Sequence, residues 1–154
     1  MNWFISNSIV GVNSSKSLKS IALENCHLDK SQLQDLGLKS KTVIKLDISS
    51  NQLGDCGPEL ATLLRGLPRL EDLKVTRNRL THRTLECYDL DLQRIRNLNL
   101  SDNIGIGQSG ISALGSILSD QPALEVLVLR QGSSRINRLL LKSLVYNSMK
   151  MYES

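Results

Sequence analysis

Aromatic residues make up only 3% of this 154-residue chain, which fits an interior filled almost entirely by Leu and Ile. Two histidines are present, His27 and His82. Neither has a base, nucleophile or metal partner at a spacing that would build a catalytic centre. The three cysteines, Cys26, Cys56 and Cys87, are dispersed and contain no C-x-x-C pair, a usage that fits reduced thiols inside a cell better than a disulfide framework. No basic residue precedes Lys16, and the apolar start is broken by Ser6, Asn7 and Ser8, so a secretory signal is not expected. No apolar run approaches membrane-spanning length. These absences point to an intracellular protein, cytoplasmic or nuclear, with no membrane contact, no cofactor, no metal site and no small-molecule substrate.

What the chain does contain is one string returning along its length. Apolar residues fall at positions one, four and six, a fixed polar residue at nine, and another apolar residue beyond it. The copies read Leu18, Ile21, Leu23, Cys26, Leu28; Val43, Leu46, Ile48, Asn51, Leu53; Leu70, Leu73, Val75, Asn78, Leu80; Ile95, Leu98, Leu100, Asn103, Ile106; and a degenerate Leu124, Leu127, Leu129, Gly132. Their starts are 25, 27, 25 and 29 residues apart. Units of this size cannot bury an apolar face alone and must stack on their neighbours.

The pattern resembles the leucine-rich repeat, L-x-x-L-x-L-x-x-N-x-L, over residues 18 to about 145, and most closely its ribonuclease-inhibitor-like subclass. The resemblance implies an α/β, right-handed solenoid bent into a horseshoe. About five parallel strands would line the concave face, with helical or irregular returns on the convex face. The residues support the same outline. Leu46 and Ile48, Leu73 and Val75, and Leu98 and Leu100 alternate with polar residues, the period of a strand with one buried face. Asn51, Asn78 and Asn103 should turn inward and bond backbone groups that no strand neighbour satisfies, because an amide both donates and accepts. Cys26 is a weaker substitute, and Gly132 supplies no side chain.

The return after Leu53 predicts a helix capped by Asp55, with Pro58 in its first turn and Gly66 as its stop. Ile106 to Ser119 repeats this plan, whereas the returns over 28–42 and 80–94 are shorter and less regular. The extra residue in 103–107 predicts a bulge that Gly105 and Gly107 tolerate. The glycines at 105, 107 and 110 lack a Walker lysine and fit tight helix–strand packing better than phosphate binding. Cys87 and Asp89 match the C-x-D of bacterial ubiquitin ligases that carry these repeats, but lie in a return segment and not in a separate catalytic domain. One domain is expected over 1–154. Its N-terminal cap over 1–17 contains Trp3, Phe4, Ile5, Ile9 and Val10. Repeats fill 18–132, and a C-terminal capping helix and tail occupy 133–154, with Ile136, Leu139, Leu140, Leu144 and Val145 on one face.

Strand positions three, five and seven should face outward. Position three gives Ser20, Lys45, Asp72, Asn97 and Val126; position five gives Ala22, Asp47, Lys74, Asn99 and Val128; position seven gives Glu24, Ser49, Thr76, Ser101 and Arg130. Equal positions become lateral neighbours in a parallel sheet, so Lys45 should meet Asp72, and Asp47 should meet Lys74. The resemblance implies a non-catalytic protein–protein interaction module, an adaptor or regulatory subunit. Its concave surface would use Lys45, Asp47, Asp72, Lys74, Arg77, Asn97, Asn99, Val126, Val128 and Arg130, with the outward valines offering an apolar contact. The net charge of +4 and the central Arg65, Arg69, Lys74, Arg77, Arg79, Arg83, Arg94 and Arg96 leave nucleic-acid association as a lesser alternative. Acidic residues are interspersed among these bases, which fits a solvated surface better. A structural piece of a larger assembly is the remaining reading.

Overall fold

Each repeat contributes one three-residue strand whose central aliphatic residue points into the core. The computed structural model describes residues 11–87, 90–118 and 123–130. The apolar N-terminal residues 3–10, the tail over 133–154, Gly132, and Tyr88 and Asp89 lie outside these residues. The strands are β1 (Ser20–Ala22), β2 (Lys45–Asp47), β3 (Asp72–Lys74), β4 (Asn97–Asn99) and β5 (Val126–Val128). They form one parallel five-stranded sheet in the order 1-2-3-4-5. Register is kept from repeat to repeat, so Ile21, Leu46, Leu73, Leu98 and Leu127 form one continuous row. Beneath it, Val43, Ile48, Val75, Leu80 and Leu114 are fully buried. Each such side chain removed from water stabilises the fold by about 1.5–3 kcal/mol.

The returns alternate between short and long helices. Helix α1 (Lys30–Asp35) opens with a capping box in which Asp29 accepts from the Gln32 backbone N–H at 2.8 Å, and the Gln32 side chain accepts from the Asp29 N–H at 3.0 Å. Helix α2 (Gly57–Gly66) carries Pro58 in its first turn and buries Leu60, Ala61, Leu63 and Leu64. Asp55 does not cap α2. The N-cap is Cys56, which makes no side-chain cap bond. The Asp55 carboxylate is drawn instead to the next repeat, accepting a hydrogen bond from the Thr81 hydroxyl and lying 3.7 Å from the Arg83 guanidinium. Helix α3 (His82–Leu85) is a single turn capped by Thr81, which accepts from the Arg83 N–H at 3.2 Å. The bulge expected over 103–107 takes the form of a 3₁₀ turn, Ile104–Ile106, which buries Ile106 and leaves Ile104 80% exposed. Helix α4 (Gly107–Leu118) follows directly.

Gly66 and Gly110 are among the glycines that close approach requires. A Cβ on Gly66 would collide with the Leu38 carbonyl, and the Gly66 carbonyl accepts from the Ser40 N–H at 3.0 Å. A Cβ on Gly110 would lie 3.1 Å from the His82 Cα. The small residue at 110 therefore serves contact between α4 and α3, helix against helix and not helix against strand.

Candidate functional site

The outward face of the sheet is built by the polar members of the alternation. Asp72 pairs with Lys45 in register, and Lys74 with Asp47. Lys45 Nζ lies 3.9 Å from Asp72 Oδ2, and Lys74 Nζ lies 3.6 Å from Asp47 Oδ2. The two pairs cross in sign. Their carboxylates sit low on the sheet, at 22% and 25% exposure, while the lysine side chains project at 61% and 52%. Exposed pairs of this kind contribute about 0–1 kcal/mol each to stability. The main electrostatic result is thus two ammonium groups standing over a locally neutralised base.

Asp47 and Asn99 are also committed locally, accepting from the N–H groups of Ser49 and Ser101 at 3.0 and 3.1 Å. Beyond β4, half-buried Asn97 and Asn99 give way to Val126, which is 47% exposed, and Val128, which is half-buried. The face therefore runs from small residues (Ser20, Ala22) through charge and amide to aliphatic, across about 19 Å at 4.8 Å per strand.

Position seven departs from the outward pattern at two of its five residues, while Glu24 and Arg130 are exposed. Ser49 and Ser101 are buried; their hydroxyls accept from the Thr76 and Arg130 N–H groups at 3.3 and 3.1 Å. They tie successive turns together and belong to the scaffold. Arg77 and Arg130 lie in the turns that leave the sheet and not on the strands themselves. The Arg77 guanidinium is 3.2 Å from Asp102 Oδ2. Arg96 bridges Glu71, at 3.5 Å, and Glu125. Three of the central arginines (Arg77, Arg83 and Arg96) thus already hold carboxylate partners.

Below the rim at the carboxyl ends of the strands lie the three asparagines. Asn51 Oδ1 accepts from the Cys26 and Leu28 N–H groups at 3.0 and 2.9 Å, while its Nδ2 donates to Leu23 O, Ile48 O and Ser49 O. Asn103 does the same two units on, accepting from Asn78 N–H and Leu80 N–H at 2.8 and 3.1 Å. Asn78, fully buried between them, accepts from Asn51 N–H at 3.2 Å and donates to Ile48 O and Thr76 O, both at 3.0 Å. Each amide reaches back to the preceding repeat. Cys26 has no such reach, and its thiol donates to Glu24 O at 3.5 Å.

The residue before each of these positions turns left-handed: Asn25, Ser50, Arg77 and Asp102 have φ of 52°, 57°, 53° and 57°. This turn delivers the ninth side chain inward. The sequence signal for it is faint, because only Asn and Asp among the four favour that region. Among the described residues, no group of His, Cys, Asp and Glu is placed to hold a metal ion, and no helix is long and apolar enough to cross a membrane.

These features define a leucine-rich-repeat-like α/β fold with one parallel sheet. No family model matches the chain, and no curated protein does. Solved structures do share the fold. The tropomodulin C-terminal domain of Caenorhabditis elegans superposes with a TM-score of 0.67 at 19% identity, over 97% of this chain and 95% of that one. The actin-binding site 2 of leiomodin-1 gives 0.61 at 13% identity, over 97% of this chain and 87% of that one.

Proposed function

We propose that this chain is a single-domain, intracellular protein-recognition module of the ribonuclease-inhibitor-like kind, a right-handed horseshoe acting as an adaptor or regulatory subunit without catalysis. Its partner rests on the outward, concave face of the sheet. The observation that carries this reading is the graded face itself. Projecting Lys45 and Lys74 stand beside the Asn97 and Asn99 amides and then the exposed Val126, so one surface offers charge, hydrogen bonding and apolar contact in sequence. Charge of this kind sets orientation and encounter rate, and the apolar end supplies desolvation. The likeness to an actin-binding site of leiomodin-1 makes actin the first partner to test.

The experiment is co-sedimentation with filamentous actin, and affinity capture from a lysate if actin does not bind. Lys74→Glu should fold normally yet weaken capture about fivefold or more, since it places a carboxylate against Asp47 and inverts the projecting charge. Val128→Asp should weaken it through the apolar end. Unchanged capture by both variants sends recognition elsewhere on the molecule.

A further inference from the structure

A recess lies at the opposite ends of the strands from the asparagines, where the chain enters β2 and β3. It is an open groove of about 740 Å³, within the 300–1,000 Å³ typical of ligand pockets. Its lining includes the leucines at 33, 38 and 63, together with Pro68. Its walls are tied across long sequence separations. Asn13 Nδ2 donates to Gly37 O at 3.0 Å and Asn13 Oδ1 accepts from Lys39 N–H at 2.8 Å, while Ser40 N–H donates to Gly66 O at 3.0 Å.

Lys16, Lys39, Lys41 and Arg65 stand around this apolar base, and the described lining residues include no carboxylate. Among the described residues none of these four cations is ion-paired. Lys30, Lys45, Lys74, Arg77, Arg83 and Arg96 are ion-paired, and the other described lysines and arginines that lack an ion pair, Lys19, Arg69, Arg79, Arg94 and Arg130, do not gather around one apolar recess. Residues 1–23 contain no carboxylate. Cations left unneutralised around an apolar recess raise the local concentration of anions and reward whatever also fills the recess.

From this we infer that the groove docks an acidic peptide segment of a partner protein, one that inserts a large aliphatic or aromatic side chain over the leucines while its carboxylates engage the four cations. A single-stranded nucleic acid would look for aromatic rings on which to stack, and none is among the described residues that line the groove. A bilayer presents a flat surface, whereas a recess favours a projecting side chain. The groove is separate from the sheet face, so the inference stands independently of the partner proposed for that face.

The test is fluorescence anisotropy with a labelled peptide of alternating Glu and Leu. Saturable binding that weakens steeply with added salt is expected. The double variant Lys39→Glu/Lys41→Glu should weaken binding tenfold or more. Thr62→Trp, an exposed lining position, should block the groove without altering charge. Lys74→Glu should leave binding unchanged, and melting curves of all variants should verify folding. Three results overturn the inference: no saturable binding, loss of binding with Lys74→Glu but not with the groove variants, or preferential binding of phosphatidylserine vesicles or single-stranded RNA over the peptide.

Discussion

Replacing the buried asparagines by alanine should cost stability in an order set by how many backbone groups each variant orphans. Asn78→Ala removes the acceptor for Asn51 N–H. The carbonyls it served keep other donors: Ile48 O still receives Asn51 Nδ2 at 2.8 Å, and Thr76 O still receives Ser50 N–H at 2.8 Å. One buried donor is thus left bare, worth about 1–3 kcal/mol. Asn103→Ala strips the acceptor from both Asn78 N–H and Leu80 N–H, which belong to residues with no exposure. Two bare donors cost about 2–6 kcal/mol, a large share of the 5–15 kcal/mol that holds a typical domain together. Asn51→Ala also orphans two donors, but Cys26 is only half-buried, so water recovers part of the loss and the variant should fall between the other two. Urea titration with a common slope measures all three. In thermal melts each kcal/mol moves the midpoint by about 2–4 °C for a chain of this size. Asn78→Ala proving as costly as Asn103→Ala, or all three staying within about 0.5 kcal/mol of wild type, would refute the account.

Other perturbations probe separate features. Gly66→Ala should destabilise by about 1–3 kcal/mol, because the new methyl meets the Leu38 carbonyl and backbone cannot swing aside; an unchanged urea midpoint would contradict this. Arg79→Gly should stabilise by about 0.5–1 kcal/mol, since Arg79 holds φ of 58° on an exposed turn where a Cβ is disfavoured; a lower melting temperature would count against it. Burial, reinforced by nearby Glu59, pushes the Cys56 thiol up to about 12. Native protein at pH 8 should therefore label rapidly at half-buried Cys26 and Cys87 but not at Cys56. The folded state holds the Cys56 proton more tightly than the unfolded chain does. That contribution to stability is complete below the ordinary thiol range near 8.5 and is lost as pH rises toward 12. Cys56 labelling as fast as Cys26 would sink that reasoning.

The strands, their register and the ion pairs between Lys45 and Asp72 and between Lys74 and Asp47 were legible because a fixed period converts equal sequence positions into lateral neighbours. The returns were less so. Asp55 has the right residue type for a cap, but one position and a competing Thr81 in the next repeat decide its partner. The D-x-x-Q signature at Asp29 and Gln32 was available as a capping box and marks α1 directly. Ser49 and Ser101 read as outward by alternation, yet alternation stops counting once the chain leaves a three-residue strand. The cationic groove could not be read at all. Its residues lie at 16, 39, 41 and 65, scattered in sequence and gathered only by the stacking.

Helix lengths of 6, 10, 4 and 12 residues follow one another around the stack. The structural unit among the described residues is consequently a couplet, a lean module with its stout companion, about twice the repeat period. Lengthening or shortening the array by couplets keeps each short helix beside a long one, whereas excising the α3 module alone would set two long helices side by side, a pairing found nowhere among the described residues.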